Sequence, residues 1–374
     1  MADARILLMG CGGIGGVLAA KVFESGQRVD VVTHNPAIAA AVNEDGFRLR
    51  INGDDHVVRG HATPAIATDR GPFDFVLLAT HPPQVEAAAR DALPFLAPGG
   101  AMVCLQNGLC ERRVANIVGT DRTIGAIVAW GGTMLEPGVY ERTSEGGFVI
   151  GRLDGTVDAN LDGLREVLRA VGPVEITRNL RGARWSKLAI NCAISSLGTI
   201  GGDRLGALMK YRFVRRLALE VMTEVVEVAG ARRVRLEKVS GTIDLDWVAL
   251  TEAERRLSGS PSLMAKHALL LAVGAKFRRL RSSMLIAIER GREPAVDYLN
   301  GEVVWRGAEN YVATPLNARI VDMIRAIARR ELQPGIALLR GLYAESRRDV
   351  APPPPSHFTG IEDAGSSPAT LADL

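Results

Sequence analysis

Three polar residues recur at every fourth position near the middle of the chain. They are Lys187, Asn191 and Ser195, and apolar residues such as Leu188 and Ile190 lie between them. On a helix this spacing places the three polar groups in one stripe along a single face. A lysine held among apolar side chains loses hydration, which lowers its pKa towards the range that a general acid needs near neutral pH. The stripe therefore predicts proton donation to a reacting oxygen, and an exposed lysine with its ammonium in water remains the alternative.

A glycine-rich loop near the start of the chain has the pattern of a dinucleotide-binding turn. An apolar strand precedes the loop, an Ala-rich helical pattern follows it, and the loop itself consists of Gly10, Cys11, Gly12, Gly13, Ile14 and Gly15. Gly10 permits a tight turn, Gly12 lets backbone amides approach a pyrophosphate, and Gly15 allows close packing of helix on strand. The start of the helix offers free N–H groups and a positive dipole to the anion. This context favours a cofactor loop over an ordinary glycine-rich turn, with Cys11 as a small buried residue.

The first half of the chain alternates strands with helices. Apolar runs predict strands over residues 5–9, 28–33, 73–79, 101–105 and 123–128. Helical patterns cover residues 16–25, 36–44, 83–93 and 110–117. Such alternation predicts an α/β Rossmann-type domain, in which a parallel sheet is covered on both faces and binds ligands at the carboxyl ends of its strands.

The loops at those strand ends supply candidate cofactor-binding residues. They are Thr33, His34, Asn35, Thr80, His81 and Asn107. The position of His81 favours contact with cofactor or substrate, although a turn residue before two prolines is the alternative. Asp30 is expected within the second strand.

The second half of the chain is predicted to be different. Short glycine-interrupted antiparallel strands over residues 130–151 complete the first domain, followed by a helix over 158–170 and a strand over 174–177. From about residue 182 almost every segment has helical spacing. We therefore predict a dinucleotide-binding domain over residues 1–180, an all-α substrate and catalytic domain over 181–345, and a Pro-, Ser- and Ala-rich disordered tail over 346–374.

Composition narrows the classes of function. The chain has 374 residues, of which 47% are hydrophobic and 23% charged, and a net charge of +3, which is too small to imply a nucleic-acid partner. Its 4 cysteines show no metal-ligand spacing, and we expect no signal segment before the first strand. No uncharged apolar run reaches the roughly 18 residues that cross a bilayer. We expect a cytoplasmic protein with a small-molecule substrate, no metal and no membrane partner, and a homodimer remains open.

A second group of polar residues follows later in the chain. Ser283 could donate to a substrate carboxylate, while Asp297 and Asn300 could cap the next helix or contact ligand. The local pattern favours capping for Asn300.

Taken together, these motifs resemble the ketopantoate reductase (2-dehydropantoate 2-reductase) family. The resemblance runs from about residue 5 to residue 329 and rests on the glycine loop, Gln-Asn-Gly at 106–108, Trp-Ser-Lys-Leu-Ala-Ile-Asn-Cys at 185–192, Ser-Ser-Met-Leu at 282–285 and Asp-Tyr-Leu-Asn-Gly at 297–301. It implies NADPH bound between a Rossmann domain and a helical domain, and reduction of a 2-oxo acid to a 2-hydroxy acid.

The resemblance also implies roles for individual residues. The catalytic lysine of the family falls on Lys187, which would protonate the alkoxide, and its Asn-Gly asparagine falls on Asn107, beside nicotinamide and substrate. Asn191 and Ser283 match substrate-binding positions, and Ser195 replaces a further asparagine. An ammonium aimed at the forming oxyanion stabilises the transition state more than the ground state.

Three more positions depart from the family pattern. His34 replaces the arginine that grips the 2′-phosphate of NADPH, His81 replaces a lysine, and Ala295 replaces the glutamate that meets the substrate hydroxyl. Ala295 favours a smaller, more apolar or bulkier 2-oxo acid over ketopantoate, unless Asp297 compensates. Because the loop after the second strand contains no acid, we favour NADPH and keep NADH open.

Other functions stay open as alternatives. The nearest alternative is an imine or opine-type reductase. A non-catalytic dinucleotide sensor would explain why the site residues depart from the family pattern. Methyl transfer from S-adenosylmethionine is a third alternative, but it gives the polar stripe on the helix no function.

Overall fold

The first part of the chain forms a seven-stranded sheet. The structure is a computed structural model that describes residues 4–51, 53–238, 243–256 and 260–347. In the order of the sheet the strands are β11 (Val174–Ile176), β10 (Phe148–Arg152), β7 (Thr123–Val128), β6 (Leu96–Cys104), β5 (Phe73–Leu78), β1 (Ile6–Met9) and β2 (Val29–Val32). Neighbouring strands are parallel except β7 and β10. The five predicted parallel strands are all present, because buried parallel strands are continuous apolar runs.

Helices cover both faces of this sheet. They are α1 (Gly13–Glu24), α2 (Pro36–Asp45), α3 (Val85–Ala92), α4 (Glu111–Val118) and α5 (Ala159–Leu168). Residues of α1, α2 and α5 share one hydrophobic core, and those of α3 and α4 share the other. The first helix begins at Gly13 rather than at the predicted residue 16, since its N-cap is Gly12. The first residues of the helix predicted over 83–93 belong instead to a 3₁₀ turn, Pro82–Gln84.

A second sheet of four strands lies beside the first and was not predicted as such. Its order is β4 (Asp54–Val58), β3 (Phe47–Ile51), β9 (Val139–Arg142) and β8 (Gly132–Glu136). The short strands predicted over residues 130–151 are present, but they divide between the two sheets: β8 pairs antiparallel with β9, β10 pairs antiparallel with β7, and β9 also pairs in parallel with β3. The β3–β4 hairpin escaped prediction because β4 is polar and mostly exposed, and so lacks an apolar run.

The remainder of the described chain is helical, as predicted. The helices are α6 (Leu180–Gly201), α7 (Leu205–Leu208), α8 (Arg212–Ala231), α9 (Leu245–Val248), α10 (Glu252–Arg256), α11 (Pro261–Lys276), α12 (Ser283–Glu289), α13 (Asn300–Glu309), α14 (Pro315–Ala328) and α15 (Ile336–Ser346). The long helices α6 and α8 pack together at the centre of one core. Helix α6 begins where the Asn179 side chain accepts a hydrogen bond from the Gly182 N–H. Among the described helices, none has the length and apolar content needed to cross a bilayer. The tail predicted to be disordered lies almost wholly outside the described residues.

Asn300 joins three helices instead of capping one. Its side chain is fully buried: Oδ1 accepts from the Ser196 hydroxyl (2.5 Å), and Nδ2 donates to the Cys192 carbonyl (3.2 Å) and to Asn317 Oδ1 (2.9 Å). Leu299 takes the N-cap position of α13 without a side-chain hydrogen bond. The prediction of a capping role is therefore wrong, because buried partners from α6 and α14, distant in sequence, satisfy this amide.

Replacing Asn300 should destabilise the helical domain. In Asn300→Ala, the buried Ser196 hydroxyl and Asn317 amide lose their partner, so we expect the free energy of unfolding to fall by about 2–4 kcal/mol. Urea unfolding followed by tryptophan fluorescence measures the change. The control is Asn160→Ala, which removes an exposed hydrogen bond to the Gly99 carbonyl. Equal losses in the two variants would contradict a structural role for the Asn300 network.

Candidate active site

Several glycines of the loop approach backbone closely, and one position is left open. Gly10 has φ +103°, and a Cβ there would lie 2.9 Å from the Ala79 carbonyl carbon. A Cβ on Gly15 would lie 2.0 Å from the Gly10 carbonyl oxygen, so helix α1 packs on the loop as predicted. At Gly12, by contrast, a Cβ would meet no atom within 4 Å. The loop therefore leaves room beside the first turn of α1, which fits the phosphates of a dinucleotide.

The side chains of the loop point into the protein. Cys11 is buried, its sulfur lies 3.0 Å from the Tyr140 hydroxyl, and burial raises its pKa to about 11. Ile14 packs against the same core. At Cys11 only the backbone can face a ligand, and the expectation that Cys11 is a small buried residue fits this geometry.

The end of β2 exposes a histidine. Thr33 is buried, and its backbone N–H donates to the Thr63 carbonyl (2.9 Å). Asn35 caps α2 by accepting from the Ala37 N–H (3.0 Å). His34, between them, is exposed, so it is the side chain of this loop that is free to meet a ligand. Asp30 lies within β2, as predicted.

A buried amide ties together the ends of β5 and β6. Gln106 donates from Nε2 to the carbonyl oxygens of Leu78 (2.9 Å) and Thr80 (3.3 Å). This bond places the loop that carries Thr80 next to the loop that carries Asn107. Both predicted cofactor loops thus lie at one edge of the sheet.

His81 fits both of its interpretations. It begins the 3₁₀ turn at Pro82–Gln84, and it is partly buried at the carboxyl end of β5. Burial lowers the pKa of His81, and the charge of Arg292 from the helical domain lowers it further. The residue therefore faces the other domain, from a turn position.

The Asn107 loop contacts the helical domain through its glycine. Gly108 has φ +92°, and a Cβ there would lie 2.4 Å from the Tyr298 carbonyl oxygen. Tyr298 ends the 3₁₀ turn that begins at Ala295. The exposed Asn107 and the buried Ala295 thus lie at opposite sides of one interdomain boundary. Arg113 also crosses this boundary, with its guanidinium 5.0 Å from the Tyr298 ring.

Lys187 lies at the carboxyl edge of the large sheet. The side chain is partly buried, and Nζ donates to the Val128 carbonyl at the end of β7 (2.7 Å). Burial, together with the nearby Arg184 charge, lowers the pKa of Lys187 to about 7, and the Glu111 charge opposes this shift. This is the environment that the helical stripe predicted, rather than an ammonium in open water.

The glycine loop and Lys187 contact the two ends of one short segment. Lys187 binds the carbonyl of Val128, and a Cβ on Gly13 would lie 2.5 Å from the carbonyl oxygen of Gly132. Val128 and Gly132 are four residues apart, which limits their separation to about 15 Å. A dinucleotide spanning the loop can therefore reach the ammonium.

The other predicted substrate residues gather around α6. Asn191 lies one turn after Lys187, and its Nδ2 is buried without a hydrogen-bond partner among the described residues. Ser195 is partly buried, and its carbonyl accepts from the Ser282 hydroxyl (2.7 Å). That bond brings the exposed Ser283, the first residue of α12, next to the stripe. An amide without a partner in a cleft is free to bind a polar ligand.

Two arginines of this region were missed by the sequence reasoning. Arg184, one turn before Lys187, is buried and paired with Glu111. Arg290 donates from Nη2 to the Met134 carbonyl on β8 (2.9 Å), linking the two domains. Nothing in the sequence singles out Arg184, because the start of α6 also carries Arg181 and Lys187. The partner of Arg290 is a backbone atom, which no sequence pattern indicates.

Comparison with known proteins gives the same division of the chain. Residues 6–155 match the family described as ketopantoate reductase PanE/ApbA, and residues 179–328 match its C-terminal domain. The 2-dehydropantoate 2-reductase of Halobacterium salinarum is 25% identical over 331 residues, covering 87% of this chain and 99% of that protein. The enzyme of the same name from Mesorhizobium japonicum is 25% identical over 362 residues, covering 91% and 100%.

Solved structures share the fold. A PanE/ApbA family ketopantoate reductase from Ralstonia eutropha JMP134 has a TM-score of 0.70 at 24% identity, covering 87% of this chain and 99% of that chain. D-mandelate dehydrogenase with NADH and anilino(oxo)acetate has a TM-score of 0.74 at 18% identity, with the same coverage. Because the two family matches together span most of both domains, the chain belongs to the ketopantoate reductase PanE/ApbA family.

Proposed function

We propose that the protein is an NAD(P)H-dependent reductase that converts a 2-oxo acid into a 2-hydroxy acid, with Lys187 as the general acid. The observation that carries this proposal is the Lys187 ammonium, partly buried at the sheet edge that also bears the glycine loop. Family membership supports the reaction class. The loop fits a dinucleotide, because Gly12 leaves open space at the start of α1.

A bound dinucleotide supplies the hydride, and the protein supplies the proton. As the carbonyl π pair moves onto the substrate oxygen, Lys187 transfers a proton from Nζ to that oxygen and becomes a neutral amine. A lysine whose pKa is lowered to about 7 gives up its proton readily at neutral pH. The Val128 carbonyl holds one N–H of the ammonium, which leaves two for the substrate.

The neighbouring amides and hydroxyls would orient the substrate. Asn191 has a buried amide nitrogen with no hydrogen-bond partner in the described part of the chain, and Asn107 is exposed on the loop after β6. Ser283 could donate to the carboxylate, and Ser195 is shorter than the asparagine that it replaces. Hydrogen bonds of this kind fix which carbonyl face meets the hydride donor.

Ala295 favours an apolar substituent on the substrate over a hydroxylated one. Asp297 is poorly placed to replace the missing glutamate, because its carboxylate accepts from Arg325 at 2.7 Å. The structural neighbour D-mandelate dehydrogenase holds anilino(oxo)acetate, a 2-oxo acid derivative with an aromatic substituent. We therefore place branched-chain and aromatic 2-oxo acids ahead of ketopantoate. Only turnover of 2-dehydropantoate would link the protein to pantothenate biosynthesis.

For the cofactor we propose NADPH, with NADH as the alternative, since one structural neighbour was solved with NADH. We also propose the cytoplasm, because all four cysteines are buried and unpaired, as in proteins of a reducing compartment. A homodimer remains a further possibility to test by sedimentation.

Lys187→Ala tests the chemistry. An acid catalyst contributes roughly 10²–10⁴ to the rate, so we expect kcat to fall by that factor while NADPH still binds.

In the native protein, kcat for reduction should be constant well below pH 7 and fall above it, because the ammonium is lost as pH rises through the Lys187 pKa of about 7. Stopped-flow absorbance at 340 nm gives the rates, and quenching of tryptophan fluorescence gives the binding.

The control for Lys187→Ala is Lys276→Ala, at the exposed end of α11. A loss below about tenfold with dinucleotide binding intact would remove the role assigned to Lys187.

A substrate panel tests the specificity. We expect higher kcat/KM for 2-oxo acids with branched or aromatic substituents than for ketopantoate, because Ala295 offers no partner to a substrate hydroxyl. The panel includes 2-oxo acids with added amines, which detect an imine reductase. Tight NADPH binding without turnover of any compound would instead favour a sensor, and no dinucleotide binding would eliminate both.

His34→Asp tests the cofactor site. An acid at the end of β2 accepts hydrogen bonds from the ribose 2′-hydroxyl and repels a 2′-phosphate, so the ratio of kcat/KM for NADPH over NADH should fall at least tenfold. Steady-state kinetics with both cofactors measures the ratio. An unchanged ratio would mean that His34 does not lie beside the ribose.

A further inference from the structure

A buried ion pair lies directly behind Lys187. Arg184 is on α6, one turn before the lysine, and Glu111 is the first residue of α4. Each is 3% exposed, and Nη2 of Arg184 contacts Oε1 of Glu111. Burying two charges is costly unless further hydrogen bonds satisfy them. A pair in this place therefore needs an explanation beyond stability.

The two terminal nitrogens of Arg184 also bind backbone carbonyls near the ends of two strands. Nη1 donates to the Gln106 carbonyl (2.8 Å), and Nη2 donates to the carbonyls of Cys104 (2.8 Å) and Ala126 (3.3 Å). Cys104 ends β6, and Ala126 lies in β7, two residues before the carbonyl that accepts from Lys187. One guanidinium thus joins α6 to both strands.

We propose that the Arg184–Glu111 pair is a positioning device that holds Lys187 in register with the Asn107 loop and sets the charge around its ammonium. The inference rests on the proposed role of Lys187 but concerns different residues. Gln106, whose carbonyl Arg184 binds, directly precedes Asn107. The same guanidinium therefore links the helix that carries Lys187 to the loop that carries Asn107.

The geometry requires an arginine. The guanidinium is a planar fork, and here its two terminal nitrogens donate to three carbonyls and contact a carboxylate, while its buried Nε has no partner among the described residues. A lysine keeps the charge but has three donors at a single nitrogen, so it cannot reach all of these acceptors. Arg184→Lys separates the geometric role from the electrostatic one.

The charges acting on Lys187 come from two elements. Arg184 on its own helix disfavours the ammonium, Glu111 on α4 favours it, and β7 contributes the Val128 carbonyl. Glu111→Gln removes the favourable charge and keeps nearly the same shape. The lysine in that variant should lose its proton at a lower pH, whereas a purely structural role would leave the titration unchanged.

The test uses the full-length protein and two independent readouts. The chain has six lysines, so ¹³C reductive methylation gives a simple NMR spectrum in which Lys187→Arg identifies the resonance of Lys187. The pH titration of this resonance needs no turnover. We expect Glu111→Gln to lower its midpoint by about 0.5–1 pH unit. The descending limb of kcat against pH should move by the same amount.

Arg184→Lys should lower kcat about 10- to 100-fold, because a small displacement of a catalytic group has that effect, while KM for NADPH stays within about threefold. The double variant Arg184→Met/Glu111→Leu leaves no unpaired buried charge, so it should stay folded. It can therefore be assayed if the single variants unfold. It should show the same loss of kcat.

The matched control is the buried pair Lys266–Glu254, which joins α11 to α10 at 2.6 Å. Lys266→Met/Glu254→Leu should change the melting temperature only. An unmoved titration midpoint in Glu111→Gln, or a native kcat in Arg184→Lys, would overturn the proposal. A shifted midpoint in a protein that reduces no 2-oxo acid would support the pair and reject the proposed function.

Discussion

The candidate site depends on the docking of one helix against the carboxyl edge of a parallel sheet. Helix α6 carries the lysine, and the sheet supplies the carbonyl that receives its hydrogen bond. Neither domain alone would withdraw that ammonium from water. The chemistry proposed for the site therefore follows from how the two domains are joined.

The interface between the two domains is polar at the strand ends and tightly packed elsewhere. Arg184 donates hydrogen bonds to backbone oxygens near the buried ends of β6 and β7. Gly108 lets the Asn107 loop approach the turn at Tyr298 more closely than any other residue would. Arg290 adds a third link, from the end of α12 to β8. Directional contacts thus fix how the two domains meet.

Prediction from the sequence succeeded where structure follows from local pattern. The parallel strands, the glycine loop and the helical stripe all depend on the periodicity of nearby residues, and all are present. It failed where partners are distant in the chain. The amide of Asn300 looks like a cap locally, yet it is satisfied by residues more than 100 positions earlier. The polar strand β4 gave no apolar run, so the four-stranded sheet went unrecognised.

The position of Tyr140 in that second sheet bears on the most recognisable motif of the chain. Its ring occupies the space where a side chain on Gly16 would lie, and its hydroxyl bonds to Cys11. The glycine turn of the cofactor motif thus packs against a residue that lies about 130 positions later in the chain. In a protein that had the same glycines but lacked β9, this packing contact would be absent and would no longer fix the conformation of the turn.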